Sequence, residues 1–212
     1  MFVYKEAFVL TGLHPEITSK RLIGNAEETL TRGLGIDTTI VNLGWKTRKN
    51  LADLENNLDE KIDKTKGQVV LIGVSAGMTE ALLTRQRFGY KKISEIISVC
   101  GWSWPEVGMS DLELRRLNDL RGPNPIFGEA IQKYTELYIG KYEKGTFVGR
   151  FEPDDWKKIL TFVAEKDQFV PRNCCVIAPV MKVIEMKGVD HIGGIIRAIG
   201  KTKIMKEFIE RR

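Results

Sequence analysis

Apolar residues recur along this chain in two alternating rhythms. Residues 2–10, 36–42, 68–72, 93–99, 158–164 and 180–186 are short runs rich in apolar and β-branched side chains, the composition of a buried strand. Between them, apolar positions fall three or four apart. The clearest such stretch runs from Asn50 to Lys64, with Leu51, Leu54, Leu58 and Ile62 on one helical face. Thr18 to Arg32 reads as another helix, with Thr18 or Ser19 as its N-cap. Met78 to Arg85 reads as a third, and residues 192–210 as one closing helix. Strands alternating with helices predict an α/β fold, a three-layer α/β/α sandwich around a mostly parallel six-stranded sheet.

One stretch breaks the alternation. Residues 102–153 are longer than a simple crossover needs and hold two helix-like runs on either side of Arg121-Gly122-Pro123-Asn124-Pro125. Aromatics are dense there. This is expected to be a small helical cap or lid insertion within a single domain spanning residues 1–212. Its aromatics are packing residues first. Trp102 and Trp104 directly follow the fourth strand and are the candidates to line a substrate pocket.

Composition narrows the class. A chain of 212 residues with 42% hydrophobic and 29% charged residues suits one globular domain. The net charge of +5 is spread among interleaved acidic residues, so nucleic-acid binding is not expected. No apolar run is long enough for a membrane span. The N-terminus opens into a strand-like run without the features of a signal peptide. The three cysteines, Cys100, Cys174 and Cys175, are odd in number and two are adjacent, which argues against a disulfide framework. Cys174 and Cys175 are expected to be partly buried bystanders. These signs together predict a cytoplasmic protein. No Cys/His cluster has zinc-ligand spacing, so neither a metal nor a cofactor is expected.

In a parallel sheet, reactive groups collect on loops at the carboxyl ends of strands. Here Thr11-Gly12-Leu13-His14 follows the first strand, Ser75 the third, Asp167 the fifth and His191 the sixth. Ser75 stands in Gly73-Val74-Ser75-Ala76-Gly77, a G-x-S-x-G motif between a strand-like and a helix-like run. That context pushes a hydroxyl out of the sheet edge, and glycines are needed where flanking side chains would collide. A serine hydroxyl is a weak nucleophile unless a base takes its proton and an acid holds the base in place. With two histidines in the chain, the search for a base is short. His191 lies in a loop between a strand and the last helix. His14 lies beside the first loop and is a candidate to line the site. Asp167 is the candidate acid, although its place before Val170-Pro171 also suits a cap. Asp190 is the rival acid, but neighbouring side chains diverge.

Three motifs, the serine turn, the "EKDQFVP" acid loop and the "GVDHIGG" histidine loop, give the chain a resemblance to the α/β-hydrolase superfamily over nearly its whole length. The order Ser, Asp, His is that family's order. The resemblance implies the α/β-hydrolase fold without its leading strands, similar in size to small lipases and cutinases. It implies a catalytic triad of Ser75, Asp167 and His191, and an oxyanion hole made by the backbone N–H groups of Ala76 and Leu13. Gly12 and His14 would border the substrate. The family's loop commonly reads His-Gly-X; here Thr11 stands in the histidine's place. The implied activity is hydrolysis of a small-molecule carboxylic ester through an acyl-enzyme, with no cofactor. Thioester or amide hydrolysis would use the same machinery, and a non-catalytic binding protein could keep the same fold.

Overall fold

The computed structural model describes residues 5–12, 26–44, 51–103, 151–170, 172–176 and 178–211. Its elements, in chain order, are β1 (Lys5–Leu10), α1 (Ala26–Leu34), β2 (Asp37–Val41), α2 (Leu51–Lys64), β3 (Gln68–Val74), α3 (Gly77–Phe88) and β4 (Ile93–Val99). They continue with α4 (Pro153–Trp156), β5 (Ile159–Ala164), α5 (Arg172–Cys175), β6 (Lys182–Met186), α6 (His191–Ile199) and α7 (Thr202–Glu210). The strands form one six-stranded sheet in the order β2-β1-β3-β4-β5-β6. Every neighbouring pair is parallel, so the sheet is wholly parallel.

The strands are apolar on both faces because both faces are covered. Along β3, Val69 and Leu71 point into one core with Leu58 and Ile62 of α2 and Met78, Ala81 and Leu82 of α3. Val70, Ile72 and Val74 point into the opposite core with Leu30 of α1, Ile195 of α6 and Phe208 of α7. Successive strand residues face opposite ways, so continuous Val/Ile/Leu runs are what a doubly covered sheet requires. Each fully buried aliphatic side chain contributes about 1.5–3 kcal/mol relative to its exposed state.

The chain places β2 on one side of β1 and β3 on the other. The reversal makes the carboxyl ends of β1 and β3 the switch point, the position at which ligands of open α/β sheets bind. Gly12 and Ser75 both lie there.

The closing helix departs from expectation. It is two helices, broken at Gly200 and Lys201, where the Lys201 N–H turns back to the Ala198 carbonyl at 2.8 Å. Each piece keeps its own buried stripe: Ile195, Ala198 and Ile199 in α6, then Met205, Phe208 and Ile209 in α7. A single straight helix would rotate the second stripe off the sheet, so the break lets both stripes reach the same core. Among the described residues no helix is long and apolar enough to cross a membrane. Leu13, His14, Trp104 and residues 104–150 of the expected insertion lie outside the described residues.

Candidate active site

The serine turn is built by close approach of backbones. Ser75 has φ 51, in the left-handed region that a non-glycine residue enters at a cost of about 1–3 kcal/mol. Its N–H donates to the Val99 carbonyl at 3.0 Å. Its carbonyl accepts from the Met78 N–H at 3.1 Å and the Trp102 N–H at 2.8 Å. The two motif glycines leave no room for a side chain. A Cβ on Gly73 would lie 2.5 Å from Met78 Cα, and one on Gly77 would lie 2.2 Å from the Leu10 carbonyl oxygen. Glycine at these two positions therefore sets how tightly α3 folds back onto β1 and β3.

Asp167 and His191 arrive from the ends of β5 and β6. Asp167 Oδ1 accepts the N–H groups of Phe169 at 2.9 Å and Val170 at 2.8 Å. It thus caps its own loop, while Oδ2 lies 2.7 Å from His191 Nδ1. Its two oxygens thus have separate partners, one the loop backbone and the other the histidine ring. A carboxylate only accepts, so Nδ1 carries the imidazole proton and Nε2 is left as an acceptor. Ser75 Oγ lies 3.1 Å from that Nε2. Three side chains from three loops therefore form one hydrogen-bonded series, with the Asp167 and His191 side chains 3% and 7% exposed. In so dry a setting these charge-assisted contacts are stronger than they would be in water.

His191 is also held from outside the series. It opens α6, whose N-cap is Asp190; the Gly193 N–H donates to Asp190 Oδ1 at 2.8 Å. Asp190 is thereby turned away from the imidazole. Phe169 packs edge-on to the His191 ring at 5.5 Å. Gly194 lies so close to Cys100 that a Cβ there would meet Sγ at 2.7 Å. The "GVDHIGG" glycines were the available signal for this approach, but only the folded chain identifies Cys100 as the neighbour.

Gly12 abuts the serine, since a Cβ added to it would stand 2.9 Å from Ser75 Cβ. Thr11 is buried, and its Oγ1 accepts the Leu43 N–H at 3.2 Å while its own N–H donates to Val41 at 3.2 Å. This hydroxyl ties the loop after β1 to the segment after β2. Among the described residues, the Ala76 N–H meets no backbone acceptor. It opens the N-terminus of α3, where the helix dipole favours negative charge. The Trp102 side chain lies in the core, 3% exposed, and it is its backbone that meets the serine turn.

Cys100 Sγ, an Asp167 carboxylate oxygen and a His191 ring nitrogen lie within 4.8 Å of one another, a donor set that a metal ion could use. Burial and the nearby Asp167 push the Cys100 thiol up to about 12. Burial likewise raises Cys175 well above the ordinary thiol range. Cys174 and Cys175 are fully buried in α5, a correction to the partial burial expected.

Comparison with solved structures places this geometry in a known architecture. An α/β-hydrolase enzyme from a sediment metagenome of the Mar Chica lagoon superposes with a TM-score of 0.62 at 14% identity, covering 98% of this chain and 91% of that one. A pyrethroid hydrolase from Sphingobium faniae gives 0.60 at 12% identity, covering 99% and 98%. A carboxylesterase from Bacillus subtilis gives 0.58 at 12%, covering 98% and 84%. This chain has the α/β-hydrolase fold. No family model matches its sequence, and no curated protein does. The likeness is therefore carried by backbone geometry, and the α/β-hydrolase fold here is the frame on which Ser75, Asp167 and His191 are displayed.

Proposed function

We propose that this chain is a serine hydrolase that cleaves carboxylic esters, with Ser75 as nucleophile, His191 as general base and acid, and Asp167 as the group that orients His191. The observation that carries the reading is the unbroken series from Asp167 Oδ2 through His191 Nδ1 and Nε2 to Ser75 Oγ, with steps of 2.7 and 3.1 Å. In this reading Ser75 Oγ bonds to the ester carbonyl carbon as its proton passes to Nε2. Asp167 stabilises the imidazolium that results. The carbonyl oxygen becomes an oxyanion held by the Ala76 N–H, with Leu13 N–H as the second donor. Each such donor contributes about 3 kcal/mol in the transition state.

His191 then gives its proton to the departing alkoxide, leaving an acyl-enzyme on Ser75. A water molecule, deprotonated by Nε2, attacks the acyl carbon; the Ser75 Oγ–acyl bond then breaks, Nε2 returns the proton to Oγ, and the carboxylic acid leaves. Gly12, pressed against Ser75, leaves the acyl group room to approach. Nothing in this sequence of steps needs a metal or cofactor. The carboxylesterase among the chains sharing this fold makes esters the first substrate class to assay.

The deciding experiment is Ser75→Ala with a short-acyl nitrophenyl ester. Turnover should fall by at least about a thousandfold, and labelling by a fluorophosphonate probe should vanish. Undiminished turnover in the variant would overturn the assignment.

A further inference from the structure

We propose that Thr79 is a positioning residue for the nucleophile turn. Its hydroxyl, acting through the Trp102 backbone, holds Ser75 in the left-handed conformation that aims Oγ at His191. The inference rests on the reading of Ser75 as nucleophile and adds a residue that touches neither substrate nor reacting atoms.

A serine at φ 51 persists only where its surroundings over-determine it. Two of its three backbone tethers lie within regular neighbours, Val99 at the end of β4 and Met78 in the first turn of α3. The third is the Trp102 N–H, at 2.8 Å the shortest of the three. Trp102 lies beyond the end of β4, outside any ladder that would fix it. Thr79 supplies a direct constraint on it from α3. Its Oγ1 donates to the Trp102 carbonyl at 2.7 Å, and Thr79 is fully buried. Thr79 stands one helical turn after Ser75, so α3 grips the serine from behind through this strap. The strap leaves β4 through Cys100, itself left-handed at φ 46, with its N–H on the Phe162 carbonyl at 2.9 Å. Beyond Trp102, the Ser103 N–H donates to the Cys174 carbonyl at 3.0 Å. With its far side anchored on α5, loss of the Thr79 bond would let the strap relax away from α3 and slacken the contact on the Ser75 carbonyl.

The test compares Thr79→Val, which keeps the shape and removes the donor, with Thr79→Ser, which keeps the donor. Thr84→Val is the control. Thr84 is a buried threonine on the same helix whose hydroxyl donates to Glu80 Oε1 at 3.2 Å and has no link to Ser75. Thr79→Val should lower kcat on a short-acyl nitrophenyl ester by about tenfold to a hundredfold, with KM changed by less than about twofold. Fluorophosphonate labelling of Ser75 should slow in parallel. Thr79→Ser should recover to within about threefold of the parent rate, and Thr84→Val should lose stability without losing kcat. Should Thr79→Val fail to fold, Thr79→Ala carries the same expectations.

A crystal structure of the variant gives a readout free of the hydrolase reading. The Ser75 turn should relax and its Oγ should draw away from His191 Nε2. A Thr79→Val protein with parental kcat, or with the turn and its 3.1 Å contact intact, would overturn the proposal. A kcat loss in Thr84→Val equal to that in Thr79→Val would overturn it too. Absence of labelling in the parent protein would instead strike the nucleophile assignment, while the crystal comparison still decides the role of Thr79.

Discussion

The two ends of the sheet use polar groups in opposite ways. At the amino ends of the strands they close the structure. Lys5 Nζ reaches Glu95 at 2.9 Å and the Ile209 carbonyl at 3.3 Å. Thr65 Oγ1 donates to Glu6 at 3.1 Å, and Arg85, 4% exposed, joins the Ile93 and Ser94 carbonyls to Asp155. At the carboxyl ends the backbone is bent instead. Both non-glycine residues with positive φ among the described residues, Ser75 and Cys100, lie there. Among the described residues the Ala76 N–H has no backbone acceptor, and the serine hydroxyl is offered to a histidine. One edge saturates its polar groups and gains stability. The other holds strained geometry and spare bonding capacity, which is what a reaction site requires. On this division, changes at the carboxyl edge should remove activity and spare stability, and changes at the amino edge should do the reverse.

Asp167→Asn should give the largest separation. Oδ1 of residue 167 is committed to the Phe169 and Val170 N–H groups, which only donate. An asparagine must keep its oxygen there, so its NH2 faces His191 Nδ1. Nδ1 must then accept, the imidazole proton moves to Nε2, and Nε2 can no longer take the serine proton. We expect kcat to fall by about 10⁴-fold with little change in the melting midpoint. Nitrogen NMR of the imidazole should show the tautomer switch. Retention of the Nδ1–H tautomer with parental kcat would show that Asp167 does not orient the base.

Much of this arrangement was legible along the chain because each part follows from local composition. The strands announce themselves as Val/Ile/Leu runs since both faces are buried, and the candidate site residues follow those runs. What depends on neighbours distant in sequence was not legible. The Thr11 hydroxyl gains its role from the pairing of β1 with β2, which brings Leu43 to it. Trp102 reads as a pocket aromatic, yet its backbone is what matters to Ser75, because the loop after β4 turns beneath the serine. The break at Gly200 is hidden because each half of residues 192–210 is amphipathic by itself. Asp167 could be read as cap or acid because a carboxylate has two oxygens, and only the fold shows one oxygen on the Phe169 and Val170 N–H groups and the other beside His191 Nδ1.

On the amino edge, Arg85→Ala tests the converse. The guanidinium is nearly fully buried, and burial lowers its pKa from the ordinary arginine value while Asp155 works to restore it. Removing it leaves the Ile93 and Ser94 carbonyls short of a donor and Asp155, 24% exposed, without its cation. A loss of about 3 kcal/mol in urea unfolding is expected, because breaking such a pair strands its partner. Below the new midpoint, kcat should stay within about twofold of the parent, since Arg85 lies at the far end of α3 from the serine. A kcat collapse in a folded variant would show that the two edges are coupled through α3.

The smallest effect should come from Lys5 and Glu95. Both side chains are mostly buried, 17% and 7% exposed, and lie near the starts of β1 and β4, the two strands that flank β3. Glu95 also receives the Ser94 hydroxyl, and Lys5 also reaches Ile209, so neither charge depends on the other alone. A double-mutant cycle with Lys5→Met and Glu95→Gln isolates their mutual term. It should come to about 1 kcal/mol, above the usual exposed pair because water is partly excluded, yet far below the cost of stranding Arg85's partners. Raising the salt concentration should weaken it only slightly, since a part-buried pair is poorly screened. A coupling near zero would mean that the amino edge is held by apolar packing and by Arg85, with Lys5 and Glu95 merely accommodated. A coupling of several kcal/mol would make this pair a second anchor, and would locate the seam between α7 and the sheet as the part of the molecule where charge, more than packing, sets stability.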